Sequence, residues 1–243
     1  MGANTIRLFL EQRLCAGLEV AGTRAQANYL LNVMRLAEGA EILVFDGETG
    51  EWRARVSRQK RNACTLHVLE RTRAHRPGPD IHYLFAPVKR ARLDFMVQKA
   101  TELGVAALCP VMTRLTTVRR VKLERMRANV IEAAEQCGVL RIPRVCEAMP
   151  LDRTLEGWDP ARRLIYCDEA APVASPLEAL SGLAPGPLAV LIGPEGGFDP
   201  GERDRLRGLD FMLPISLGPR VMRADTAAVA ALALVNAVLG DWR

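Results

Sequence analysis

Apolar and polar positions alternate through the first third of the chain. Ile6 to Leu10 alternates as a strand does, and Thr23 to Met34 spaces Ala27, Leu30, Leu31 and Met34 as one helical face. Glu41 to Phe45 runs into Asp46-Gly47, a turn dipeptide, and Glu51 to Val56 and Cys64 to Leu69 follow as further strands. The pattern predicts a small, mostly β unit with one early helix. Arg71 to Asp80, RTRAHRPGPD, is polar and proline-marked and reads as a connection. The expected division is a first domain over 1–72, a linker over 73–80 and a second domain over 81–243.

Beyond the linker, strand-like and helix-like segments alternate, which predicts an α/β domain with a parallel sheet covered by helices. Ile81 to Ala86 reads as a strand, Arg90 to Leu103 as a helix ended by Gly104, and Ala106 to Val111 as a strand. Leu123 to Gln136 reads as a helix ended near Gly138. Leu164 to Cys167, Leu188 to Ile192 and Phe211 to Ile215 are short apolar strands, with an exposed, charged helix, Gly201 to Gly208, between the last two. The final helix, Thr226 to Leu239, is apolar on every side except Asn236 and its first residue. Asp225 or Thr226 would cap it and Gly240 would end it. It is too short to span a bilayer. A helix apolar all round must be covered all round, within the monomer or by a second subunit.

The 243 residues suffice for a sizeable core, and 49% of them are hydrophobic. The net charge of +5 is concentrated early: residues 1–78 carry 12 Lys and Arg against 8 Asp and Glu, the rest 21 against 20. Arg53, Arg55, Arg58, Lys60 and Arg61 form the densest basic run, and alternation with Trp52, Ala54 and Val56 places Arg53 and Arg55 on one strand face. Such a face suits a phosphate backbone; a solvated surface is the competing reading. The six cysteines show no CxxC spacing and the three histidines no HxxxH pair, so a cytosolic protein with reduced thiols and no metal is expected. The first residues lack the long apolar run of a secretory signal.

Two segments carry the candidate chemistry: LIGPEGGF at Leu191 to Phe198 and LGPRVMRADT at Leu217 to Thr226. Each follows an apolar strand, and Gly193, Gly196, Gly197 and Gly218 permit backbone conformations and close approaches that a Cβ would forbid. Ligands of α/β sheets sit at the carboxyl ends of strands, where both loops begin. Either loop alone is as well read as an ordinary turn. GPEGG is not a nucleotide-hydrolysing phosphate loop, because no Lys-Ser or Lys-Thr follows it.

At these two loops the chain resembles the SPOUT superfamily of S-adenosylmethionine-dependent RNA methyltransferases, and more closely the RsmE family. The likeness extends to IRLFL at 6–10, NYLLNVMRL at 28–36, VFDG at 44–47, FMVQKATELGV at 95–105, EAAEQCG at 132–138 and RIP at 141–143. It implies a PUA-like RNA-binding domain followed by a methyltransferase domain with a C-terminal trefoil knot. It implies an enzyme methylating N3 of one uridine in small-subunit (16S) ribosomal RNA, on the assembled 30S subunit, and working as a homodimer packed through knot helices. The cofactor would be S-adenosylmethionine, held by Leu191, Ile192, Gly193, Pro194, Glu195, Gly196 and Gly197 and by Leu217, Gly218, Arg220, Val221 and Met222. A third loop would follow Leu164 to Cys167, near Asp168 and Glu169.

The chain departs from the family pattern in three places: MRADT stands for LRTET, TRLT at Thr113 to Thr116 for a motif resembling SERS, and Val139 for an arginine. On this reading Arg223 would stabilise negative charge on the uracil oxygens and Asp225 would accept the N3 proton, unless Asp225 is the helix cap and Arg223 a phosphate clamp. RNA-binding candidates are Arg7, Arg24, Arg35, Arg53, Arg55, Arg58, Lys60 and Arg61 in the first domain, and Lys89, Arg90 and Arg92 in the second. The alternatives are a related methyltransferase acting elsewhere in ribosomal or transfer RNA, and a non-catalytic ribosome-binding module.

Overall fold

A computed structural model describes residues 6–169, 171 and 175–242. These fall into two compact units, one formed by the chain up to Pro77 with Ala134–Arg141, the other by Gly78–Ala133 with Ile142–Arg243.

In the first unit, β1 (Arg7–Phe9), β2 (Glu19–Ala21), β3 (Glu41–Phe45), β4 (Gly50–Lys60) and β5 (Ala63–Ala74) form one sheet in the order β1-β3-β4-β5-β2. Only the β1–β3 pairing is parallel. Ala54 and Val56 of β4 stand opposite Val68 and Leu66 of β5, and all four are buried. Arg53 and Arg55 face outward, as alternation requires. Helix α1 (Arg24–Asn28) opens on a capping box in which the Thr23 hydroxyl accepts from the Gln26 amide. It continues as a π-helical segment, Tyr29–Val33, so that the Met34 amide reaches back five residues to Tyr29. This widening, and Arg35 at φ 52°, interrupt the single helix expected through Met34. The connection also begins later than expected: β5 runs through Ala74 because β4 extends to Gly50 and pairs with it there.

In the second unit, β6 (Ile81–Phe85), β7 (Ala107–Met112), β8 (Arg144–Val145), β9 (Met149–Pro150), β10 (Arg163–Cys167), β11 (Leu188–Ile192) and β12 (Met212–Ile215) pair only in parallel. The order is β12-β10-β11-β6-β7-β8, with β9 pairing β7. β11, LAVLI, is buried at every position, as expected of a central parallel strand covered on both faces. On one face Leu188, Val190 and Ile192 pack among residues of α2 (Arg90–Glu102), α3 (Leu123–Cys137), α5 (Pro176–Ser181) and α7 (Ala224–Val238). On the other, Ala189 and Leu191 pack with residues of α4 (Leu151–Glu156) and α6 (Pro200–Arg207). The strand-and-helix expectation is met element by element. Helix α6 is less exposed than expected, since Glu202 and Leu206 are buried.

Helix α7 begins at Ala224, two residues before the expected start. Arg223 is its N-cap in an extended conformation (φ −66°, ψ 151°), and no side chain caps it. Asp225 is therefore already helical, and among the described residues its carboxylate accepts only from the Thr226 amide at 3.0 Å. The capping reading of Asp225 fails for that reason. Ala228, Ala231, Leu232, Val235 and Asn236 of α7 are buried, whereas Val229, Ala230, Ala233 and Leu234 are only partly so.

Candidate functional site

Strands β12, β10 and β11 are neighbours running in one direction, so the loops after them emerge side by side. They enclose a cavity of about 220 Å³. Its walls include Ile192, Gly193, Pro194, Glu195, Gly196 and Gly197 from the first loop and Leu217, Gly218, Arg220, Val221 and Met222 from the second. Asp168 and Glu169 line it from the third, as the sequence suggested. Leu191 does not: it is fully buried in the core between the sheet and its covering helices, with Leu164, Ala189 and Leu206. Arg223 and Asp225 do not line it either, although Met222 and Ala224 on either side of Arg223 do.

Glycine is required at distinct points of this cradle. A Cβ on Gly193 would lie 2.6 Å from the Phe198 ring, and Gly218 holds φ 111°. Among the described residues, the amides of Glu195, Gly196, Arg220, Val221 and Met222 have no hydrogen-bond partner in the protein. Val221 is 83% exposed, an apolar wall open to a flat ligand. Unpaired main-chain groups beside apolar surface fit the adenine and ribose of S-adenosylmethionine, which need backbone partners and no metal.

Six lining residues were not assigned to the cofactor by the sequence reading: Tyr166, Cys167, Phe198, Arg203, Ala224 and Ala227. Tyr166 packs edge-on to Phe198, with ring centroids 5.1 Å apart. Burial, then the charge of Asp168, pushes the Tyr166 hydroxyl up to about 12, so it remains a neutral donor. Arg207 donates to the buried Asp168 through Nε at 3.0 Å and Nη2 at 2.5 Å. Arg203 brings a guanidinium to the cavity, and its buried Nε has no partner among the described residues. Only the spacing of Arg203 within α6, one turn beyond the GPEGGF loop, could have pointed to it.

The basic residues divide into paired and unpaired groups. Arg7 donates from Nε to Glu51 at 2.9 Å; Arg53 lies near Glu41 and Glu70, and Arg55 near Glu41. The strand face that looks purely basic in sequence is thus largely neutralised by carboxylates of adjacent strands. Arg24, Arg35, Arg58, Lys60 and Arg61 are exposed, and their side chains form no ion pair among the described residues, although the Arg58 amide donates to Glu38 at 2.7 Å. Lys89 and Arg90 are likewise exposed and unpaired, whereas Arg92 is bonded to Glu195.

The sequence profile of an RNA methyltransferase domain matches residues 76–236, and that of an RNA methyltransferase PUA domain matches residues 23–69. The chain is similar to ribosomal RNA small subunit methyltransferase E of Rickettsia conorii, 28% identical with 95% of this chain and 94% of the relative covered. It is 32% identical to the protein of that name from Synechocystis, with 89% and 72% covered. Among solved structures, a methyltransferase of Legionella pneumophila with bound S-adenosylmethionine superposes with TM-score 0.88 at 29% identity, covering 98% of this chain and all of that one. Ribosomal RNA small subunit methyltransferase E of Neisseria gonorrhoeae, bound to S-adenosylmethionine, gives 0.85 at 26% identity, covering 99% and 100%.

Proposed function

The chain belongs to the ribosomal RNA small subunit methyltransferase E family, with a PUA-like domain ahead of a SPOUT-type methyltransferase domain, and on that footing we propose how its residues work. It is an S-adenosylmethionine-dependent methyltransferase that modifies N3 of a uridine in small-subunit ribosomal RNA, on the assembled subunit. The observation carrying this reading is the convergence of GPEGG, LGPRVM and the end of β10 on one cavity where the amides of Glu195, Gly196, Arg220, Val221 and Met222 are unpaired among the described residues.

S-adenosylmethionine supplies an activated methyl group on a sulfonium. The main chain of Gly193 to Gly197 and of Leu217 to Met222 holds and orients it, and Tyr166, Phe198 and Val221 keep water from its rings. Uridine N3 must lose a proton to attack. Arg223, at the exposed start of α7 next to the cavity wall, stabilises the charge that then spreads onto the uracil oxygens. Asp225, two positions further along, accepts the proton directly or through a water. Arg24, Arg35, Arg58, Lys60, Arg61, Lys89 and Arg90 contact phosphates, and the partly exposed stripe of α7 packs against a second copy in a cytoplasmic homodimer.

A modification map of small-subunit RNA, with and without the protein, tests the reaction. Appearance of N3-methyluridine on the assembled subunit is expected; methylation elsewhere, or in transfer RNA, would point to a related activity. Absence of cofactor binding by calorimetry would leave only a ribosome-binding module. Arg223→Ala should abolish turnover with cofactor affinity retained, and Asp225→Asn should slow turnover without unfolding the protein.

A further inference from the structure

A second cavity, of about 160 Å³, lies in the same unit, lined by Val88, Arg90, Leu93, Asp94, Val118, Arg120, Lys122, Arg125 and Met126. Its walls are chiefly aliphatic, from Val88, Leu93, Val118 and Met126, and its rim is cationic. The single carboxylate, Asp94, is already committed: it accepts from Arg125 Nε at 2.8 Å and from Asn129 Nδ2 at 2.7 Å. These donors hold Asp94 below its ordinary range, so it stays ionised and paired. Arg90, Arg120 and Lys122 are exposed and have no carboxylate partner among the described residues. The rim therefore carries net positive charge over an apolar floor.

One helical turn connects this cavity to the cofactor cradle. Arg90, Leu93 and Asp94 share a face of α2 at i, i+3 and i+4 and line the second cavity, while Arg92 points from the same turn to Glu195 in the GPEGG loop. An aliphatic slot ringed by unpaired cations matches a nucleotide of single-stranded RNA, whose base needs an apolar bed and whose flanking phosphates need cations. We propose that the cavity seats one nucleotide of the substrate strand near the methylated uridine, with its base against Val118 and Leu93 and its phosphates on Arg90, Arg120 and Lys122. This rests on the reading of the chain as an RNA methyltransferase, and it assigns binding to Arg120, Lys122 and Val118, for which the sequence offered no role.

The test compares wild type, Arg120→Ala/Lys122→Ala and Val118→Asp, all changes at incompletely buried positions that should leave the melting temperature unaltered. Binding of a labelled single-stranded RNA spanning the modified site is measured by anisotropy across a salt series, beside cofactor binding by calorimetry. The double variant should bind RNA about tenfold more weakly, with a log–log salt slope shallower by about 1.4, as for two lost phosphate contacts. Cofactor affinity should not change. Val118→Asp should weaken the intact RNA but not an oligonucleotide that is abasic at the seated position, because only the former places a base in the slot. Unchanged RNA affinity and slope in the double variant, in an enzyme whose wild type methylates the RNA, would overturn the proposal and leave the function intact. Equal effects of Val118→Asp on intact and abasic RNA would also overturn it, reducing the cavity to an anion site. Failure of the wild type to methylate would count instead against the function.

Discussion

Arg92 Nη1 donates to Glu195 Oε1 at 3.0 Å, joining the first turn of α2 to the one charged residue of the GPEGG loop. Two residues that the sequence assigns separately, one to RNA and one to the cofactor, are partners. Both side chains are more than a third exposed, so the pair contributes less than about 1 kcal/mol to stability. Its consequence is the position of the loop. Glu195→Gln and Arg92→Ala should each leave the urea midpoint nearly unchanged and weaken cofactor binding by about threefold, through the added cost of ordering the loop. The double variant should be no worse than either single one. Additive losses in calorimetry would show that the two residues act independently.

Cys109 and Cys146 lie 37 positions apart in sequence and 2.8 Å apart between sulfurs. The hydrogen bond from Cys109, against the opposing effect of burial and with help from Arg144, lowers the Cys146 thiol to about 7. Its partner is raised, first by the same bond and then by burial. Iodoacetamide should therefore alkylate Cys146 with a midpoint near pH 7, while Cys167, held up to about 12 by burial, stays unreacted. Cys146 loses its proton in the folded state before the unfolded state does, so its contribution to stability grows from pH 7 to 9, the ordinary thiol value. Above pH 9 the raised Cys109 reverses the trend, because only the unfolded chain ionises there. A stability profile flat between pH 7 and 9 after subtraction of a Cys146→Ser control would contradict this.

The Tyr83 hydroxyl is fully buried without a hydrogen-bond partner among the described residues, while its ring stacks on Phe85 with centroids 4.9 Å apart. Removing an unsatisfied polar atom relieves its desolvation penalty and preserves the packing. Tyr83→Phe should be neutral or stabilising by up to about 1 kcal/mol in urea denaturation. A loss of stability would reveal a partner for the hydroxyl in solution.

Asp46 ties the β3–β4 turn to a distant segment. Its carboxylate accepts from the Thr49 hydroxyl at 2.6 Å, from the Glu48 and Thr49 amides at 2.9 and 2.8 Å, and from the Leu14 amide at 2.8 Å. Burial pulls its pKa up, but these four bonds outweigh it and leave the value below 3.8. The contribution is present above the unfolded value and is lost as pH falls through the lower folded one, so it should begin to decline below about pH 4. Asp46→Ala should cost about 1–2 kcal/mol at pH 7, discounted for partial exposure, and much less at pH 3. An equal loss at both pH values would assign the effect to the turn backbone instead of the charge.

Much of this protein is written locally. The run LAVLI reads as a covered strand, Asp46-Gly47 as a turn, and the glycines of GPEGG and LGPRVM as loops at strand ends. Each follows from side-chain periodicity or from backbone freedom, which are properties of neighbouring residues. What the tertiary structure decided is which distant residues meet. Glu41 and Glu70 neutralise Arg53 from adjacent strands, Leu191 is buried in the core and does not line the cavity, and Arg203 reaches the cavity from α6. Cys109 finds Cys146 across two parallel strands, and Arg92 finds Glu195 103 positions away. Charge pairing and burial depend on strand order and register, and these arise from packing among segments that no local pattern relates.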